Sequence, residues 1–176
     1  MVTDALVADV AAALKDKGWL LATAESCTGG LIAAACTMVA GASDWFERGF
    51  VTYSNPAKTA MLGVPASLIE AHGAVSAEVA CAMALGALQR APVELAVAVT
   101  GIAGPAGAVP GKPVGTVWLA WATTSAAAAS GTGTDTDTGT GSRIEVERLH
   151  LHGDRSAIRA AAVRLALQRL LQAASA

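Results

Sequence analysis

The chain has 176 residues, of which 53% are hydrophobic and 15% charged, and a formal net charge of −2. That length predicts one domain able to bury its own core, and no apolar run approaches the roughly 18 residues that a membrane span requires. The charge balance lacks the basic block that nucleic acid would demand, so neither a membrane nor a nucleic-acid partner is expected. Cys27, Cys36 and Cys81 are odd in number and lack CxxC spacing, which argues against a disulfide framework or a zinc site. The opening residues carry Asp4 and Asp9 without a basic start before an apolar segment, so no secretory leader is expected and a cytoplasmic setting follows.

Asp4 to Lys17 places Leu6, Val7, Val10, Ala13 and Leu14 at helical spacing before Gly18, which predicts a helix with one buried stripe. Trp19–Ala24 is a short apolar run that predicts a buried strand, and Leu31 to about Val39 predicts a helix. Between them lies Glu25-Ser26-Cys27-Thr28-Gly29-Gly30, a strand-to-helix turn rich in hydroxyls. Its two glycines permit positive φ and close approach of a ligand, while the first helical turn presents N–H groups and a partial positive charge. This suits a nucleophile beside an anion site, and it equally suits a plain helix cap at Ser26 or Thr28.

Trp45–Tyr53 predicts a second strand, and Ser54-Asn55-Pro56 a helix start with Asn55 as cap and Pro56 at the first helical position. Lys58 then falls in the first turn, where the helix dipole and partial burial both lower a lysine's pKa. A neutral amine there can take a proton from Ser26, with Tyr53, the only tyrosine, as relay. The alternative is a solvated surface lysine and a half-buried strand tyrosine. Gly63 stops this helix, Pro65–His72 predicts another that Gly73 closes, and Ser76 caps a longer one to about Gln89.

Leu95–Val99 predicts a buried strand leading into the glycine-rich loop that begins at Thr100-Gly101, and Val114–Ala122 predicts the next strand. The tract that follows is made of Thr, Ser, Ala, Gly and Asp and buries too little apolar surface to offset its backbone entropy. A mobile insertion at about 124–142 is therefore expected. Ile144–His152 alternates as a half-exposed strand should, and Asp154–Leu171 predicts a last amphipathic helix.

This alternation of helices and strands predicts an α/β fold, a three-layer α/β/α sandwich on a mixed, mostly parallel sheet, with the last two strands able to pair antiparallel. The ligand crevice belongs at the carboxyl ends of the parallel strands, where Ser26, Tyr53-Ser54-Asn55 and Thr100-Gly101 would converge. The glycine spacing is not that of a dinucleotide fingerprint. A Ser-His-Asp arrangement would need His72, His150 or His152 brought in from afar. His150 and His152 face one side of a strand but lack a third ligand, so no metal site is expected. Arg155 and Arg159, four apart on a helix, share a face suited to a phosphate or carboxylate, or to surface ion pairs.

Six stretches taken in order, Ala24-Glu25-Ser26-Cys27-Thr28-Gly29-Gly30, Tyr53-Ser54-Asn55-Pro56-Ala57-Lys58, His72-Gly73-Ala74-Val75-Ser76, Ala98-Val99-Thr100-Gly101-Ile102-Ala103-Gly104-Pro105, Lys112-Pro113-Val114-Gly115-Thr116-Val117 and Gly153-Asp154-Arg155, resemble the CinA C-terminal domain family. The resemblance implies a stand-alone nicotinamide-nucleotide amidase, which converts nicotinamide mononucleotide to the acid and ammonia in pyridine nucleotide salvage, without metal or organic cofactor. It implies Ser26 as nucleophile, Lys58 as general base, Tyr53 as a helper in the same hydrogen-bonded group, and Thr100 and Arg155 as substrate contacts, in a homodimer. The turn Thr28-Gly29-Gly30 would then stabilise the oxyanion, with Asn55 and Gly101 completing the substrate site. The chain departs from the family pattern at Ala106-Gly107-Ala108-Val109 and at Gly111. That altered loop motivates the alternative of a non-catalytic nucleotide-sensing or partner-binding module.

Overall fold

The computed structural model describes residues 4–124 and 141–176. Along them run α1 (Asp4–Lys17), β1 (Leu21–Glu25), α2 (Leu31–Thr37), β2 (Phe46–Val51), α3 (Asn55–Leu62), α4 (Ala66–His72), α5 (Ala77–Arg90), β3 (Leu95–Gly101), β4 (Thr116–Thr124), β5 (Ser142–His150) and α6 (Arg155–Ser175). The strands form a single five-stranded sheet in the order β2-β1-β3-β4-β5. β1 pairs in parallel with β2 and β3, whereas β3 with β4 and β4 with β5 are antiparallel. β5 thus returns to the direction of the first three strands and β4 alone is reversed, which is the mixed, mostly parallel sheet expected. Residues 125–140, most of the expected insertion, lie outside the described residues. None of the described helices is long and apolar enough to cross a membrane.

The two faces of the sheet differ in side-chain size, and this sets the layers. Leu21, Leu95, Val97, Val99, Val117, Leu119 and Trp121 point to one side, where Val10, Leu14, Ile32, Ile158 and Leu167 of α1, α2 and α6 bury them. The opposite side presents alanines in register: Ala22 beside Ala96 beside Ala122, and Ala24 beside Ala98 beside Ala120. Side chains this small let α5 lie close on the sheet through Val79, Ala80, Met83, Ala84 and Ala87, with Leu62 of α3 and Ile69 of α4 beside it. The high hydrophobic content of the chain is therefore spent in part on a thin alanine layer.

Helix boundaries follow local signals closely. Gly63 ends α3 in the left-handed conformation at φ 72°, and the Ser76 and Asp154 side chains accept from Val79 N–H and Ala157 N–H to cap α5 and α6. One cap differs from expectation: Ser54, not Asn55, caps α3, its Oγ accepting from Ala57 N–H, so Asn55 is the first helical residue. The hydroxyl preceding Asn55 is within reach of the third N–H after it, and proline tolerates the second helical position as readily as the first, since its missing N–H would go unpaired at either.

Candidate active site

β1 delivers its last residues to two different layers. Successive strand side chains alternate, so Glu25 shares the face of Leu21 and Thr23, towards α2, while Ser26 follows on the face of Ala22 and Ala24. Ser26 N–H donates to the Val99 carbonyl at 3.0 Å, which prolongs the β1–β3 ladder by one residue and fixes the nucleophile candidate at its end. Glu25 is fully buried, and its carboxylate accepts from the N–H groups of Gly30 and Ile32, each at 3.0 Å, and Ala33 at 2.8 Å. The positive end of α2 is thus occupied by a side chain of the chain itself. This corrects the expectation that Gly29 and Gly30 offer N–H groups to a ligand: Gly30 N–H goes to Glu25, and Gly29 N–H donates to the Ser26 carbonyl at 3.1 Å. Thr28, Gly29 and Gly30 also fall outside the cavity wall, whereas Cys27 lies in it.

Lys58, in the first turn of α3, is 1% exposed, and its Nζ lies 3.0 Å from Ser26 Oγ and 3.0 Å from the Thr52 carbonyl, to which it donates. Burial holds its pKa below the ordinary lysine value, opposed by the nearby Cys27 thiol. Among the described residues no carboxylate pairs with it. Glu25, the nearest in sequence to Ser26, spends its charge on the α2 amides instead. The reading of Lys58 as a solvated surface charge does not hold. Cys27 and Cys36 sit in apolar surroundings that push their thiols up to about 11 and about 12, so both are protonated at neutral pH.

The cavity, of about 210 Å³, opens at the carboxyl ends of β1, β2, β3 and β5, the strands that share one direction. Ser26, Lys58, Tyr53, Asn55, Thr100, Gly101 and Arg155 all line it, so the expected convergence takes place. The Thr100 hydroxyl donates to the Ala74 carbonyl at 2.8 Å and ties the segment before α5 to the site. Gly101 is required by packing, because a Cβ there would strike Val117 Cγ2 at 2.7 Å. Tyr53 differs from expectation: the residue is 62% exposed, and its hydroxyl accepts from Arg155 Nη2 at 3.0 Å rather than joining Ser26 and Lys58. The second nitrogen of that guanidinium, Arg155 Nη1, donates to the Gly104 carbonyl at 2.9 Å.

Arg159 follows Arg155 by four residues, as the spacing predicts for one helix face, yet it serves another place. One turn further along α6, it donates through Nε to the Cys27 carbonyl at 3.1 Å and through Nη2 to the Thr28 carbonyl at 2.9 Å. The fork grips the turn after Ser26 from behind and fixes its peptide planes. Among the described residues the N–H groups of Cys27 and Thr28 donate to no backbone carbonyl. Glu25 was expected at the crevice and Arg159 on an anion-facing helix side, but their roles were not legible, since both act through backbone groups that sequence spacing does not locate. His150 and His152 stack edge to face with centroids 4.9 Å apart, and neither they nor His72 line this cavity.

Comparison with known proteins agrees with the motifs. The model of the CinA C-terminal domain matches residues 3–174. Nicotinamide-nucleotide amidohydrolase PncC of Escherichia coli is 48% identical over 163 residues, covering 93% of this chain and 89% of that protein. Its counterpart in Enterobacter agglomerans is 58% identical over 117 residues, 66% of this chain and 71% of that protein. A crystal structure of a CinA superfamily protein from Klebsiella pneumoniae superimposes with a TM-score of 0.84 at 38% identity, covering 98% of this chain and 97% of that one. The chain belongs to the CinA C-terminal domain family.

Proposed function

We propose that the chain is a nicotinamide-nucleotide amidohydrolase that uses Ser26 as nucleophile and Lys58 as general base. The observation that carries this reading is the 3.0 Å approach of a fully buried lysine amine to the Ser26 hydroxyl, with no neutralising carboxylate among the described residues. Desolvation favours the neutral amine, which accepts the Ser26 proton as Oγ attacks the carboxamide carbon. The developing oxyanion is met by the N–H group of Cys27, a residue of the cavity wall, while Arg159 steadies the turn that follows through the Cys27 and Thr28 carbonyls. Lys58 returns the proton to the departing nitrogen and ammonia leaves; water then attacks the acyl-enzyme with Lys58 again taking a proton, and the Ser26 Oγ–acyl bond breaks as Lys58 gives that proton back to Oγ and the acid departs. Tyr53 and Arg155, bonded to each other at the rim, orient substrate in this scheme rather than relaying the proton.

Ammonia release from nicotinamide mononucleotide, nicotinamide riboside and nicotinamide tests the reading. Ser26→Ala is expected to abolish turnover while leaving substrate binding largely intact, because the hydroxyl acts in the chemical step. Lys58→Arg is expected to be as dead, since arginine keeps the charge but does not give up its proton. For the wild type, kcat/KM is expected to rise with pH through an apparent pKa below the ordinary lysine value, the amine being active once deprotonated. Binding of the mononucleotide without ammonia release would replace the enzyme by a nucleotide sensor, and folded Lys58→Arg with wild-type turnover would remove the proposed base.

A further inference from the structure

Lys58 Nζ meets Ser26 Oγ and the Thr52 carbonyl, and a lysine that gains a proton there brings a third N–H into a site where it is 1% exposed. Thr52 carries a further oxygen that the amide chemistry has not used. Its N–H donates to the Glu25 carbonyl at 2.8 Å, and the parallel register that pairs Ala24 with Phe50 and Glu25 with Val51 brings it beside Ser26. Phe50, two residues earlier, packs with Ala22 and Ala24, so alternation sends the Thr52 side chain to the face on which Leu62 of α3 also lies. Thr52 is fully buried, and its hydroxyl has no hydrogen-bond partner among the described residues. The Thr28 and Thr116 hydroxyls are likewise unpaired, but Lys58 bonds to neither residue. The buried hydroxyl on the other side of Ser26, that of Thr100, is engaged with the Ala74 carbonyl. An unpaired hydroxyl lowers the stability of a core, so its place beside the base calls for a reason.

We propose, resting on the amidohydrolase reading, that Thr52 is a positioning residue for the base: its hydroxyl turns to accept the third N–H of Lys58 as the ammonium forms. The Ser26 Oγ–H bond breaks and a third Nζ–H bond is made, while Thr52 keeps its own proton. The turn is a rotation about χ1 that exchanges the hydroxyl with a methyl group of similar size. The Thr52 carbonyl holds Nζ before and after, so one residue grips the amine in both protonation states and its hydroxyl favours the charged one. The titratable and charged groups that share the cavity with Lys58 are the Cys27 thiol, pushed up to about 11, and Tyr53 and Arg155, bonded to each other at the rim. α5 meets α3 through Val79 and Met83 around Leu62, and Glu25 lies on the opposite face of the sheet with the α2 amides.

The test compares Thr52→Val, which keeps the shape and removes the hydroxyl, with Thr52→Ser, which keeps the hydroxyl. Thr52→Val is expected to lower kcat for nicotinamide mononucleotide by about tenfold or more with KM nearly unchanged, since Thr52 lies outside the cavity wall. The rising limb of its kcat/KM profile is expected to move to lower pH by about one unit, because the ammonium loses support and the neutral amine does not. Its unfolding midpoint in denaturant is expected to stay or rise, as no hydrogen bond of the resting fold is lost. Thr52→Ser is expected to keep the wild-type kcat and pH profile. A readout free of turnover is the Lys58 pKa, followed by NMR of carbon-labelled lysine with the signal identified by its loss in Lys58→Arg; it is expected to fall in Thr52→Val by the same amount as the limb. An unmoved Lys58 pKa in Thr52→Val overturns the proposal, as does Thr52→Ser protein impaired as much as Thr52→Val. Failure of the amidase reading shows separately, as wild-type protein that releases no ammonia while its Lys58 pKa still responds to Thr52→Val.

Discussion

Glu25 does at the residue scale what a bound anion would otherwise do. Three N–H groups at the start of α2 converge on one buried carboxylate, so the turn carrying Ser26 is anchored at both ends by β1 and by the helix that follows. The same contacts keep a negative charge away from Lys58, whose neutral form the proposed chemistry needs. Glu25→Gln is the sharp probe, because it preserves shape while replacing an acceptor-only group by one that must turn an N–H₂ towards backbone donors. Hydrogen bonds to a charged group contribute about 1.5–3 kcal/mol each, so the variant is expected to lose at least that much in denaturant unfolding. Turnover is expected to fall through kcat more than KM, since the Ser26 turn relaxes while the substrate-facing walls remain. An unchanged unfolding midpoint would mean that water or another group satisfies those amides as well.

The angle between elements is set where backbones meet without side chains between them. Gly86 of α5 passes the end of α3 so closely that a Cβ there would land on the Leu62 carbonyl. Gly86→Ala gains about 1 kcal/mol in helix propensity, but overpacking against backbone costs about 1–3 kcal/mol or more, so the melting temperature is expected to drop by a few degrees. α3 also carries Lys58, and its displacement is expected to reduce activity beyond what the stability loss explains; a stabilised Gly86→Ala protein would show that α3 and α5 separate freely. Such approaches mark the limit of what the sequence discloses. Helix ends were legible because Gly63, Ser76 and Asp154 act on their own neighbours, and the strand order of burial was legible from alternation. The pairing of Lys58 with Ser26 was legible from the place of Lys58 in a first helical turn and from the family resemblance, while its full burial and its bond to the Thr52 carbonyl were not. The roles of Glu25 and Arg159 were not legible, because an ordinary strand terminus and a helical arginine acquire them from distant backbone amides and carbonyls. The partner of Tyr53 was not legible for a related reason, as its hydroxyl meets Arg155 of α6 and not Lys58 of α3.

For the whole molecule, the direction of the strands decides where chemistry gathers. β1, β2, β3 and β5 end on one edge and contribute Ser26, Tyr53, Thr100 and, one turn beyond, Arg155, whereas the reversed β4 joins the sheet without opening on that cavity. β4 and β5 pair from Thr116 with His150 to Thr124 with Ser142, so the two ends joined by the low-complexity tract are already adjacent. Few residues are needed to bridge them, and the site lies at the other end of both strands. Deleting residues 130–140 is therefore expected to leave the unfolding midpoint near the parent's, because closure entropy changes by only about 0.6 kcal/mol for each doubling of loop length. Ammonia release is expected to persist with unchanged kcat/KM, since Ser26, Thr100 and Arg155 are positioned by the opposite edge of the sheet. A deletion that lowered the midpoint by many degrees, or that left the fold intact and abolished turnover, would assign the tract a packing or substrate role that neither its composition nor the strand register provides.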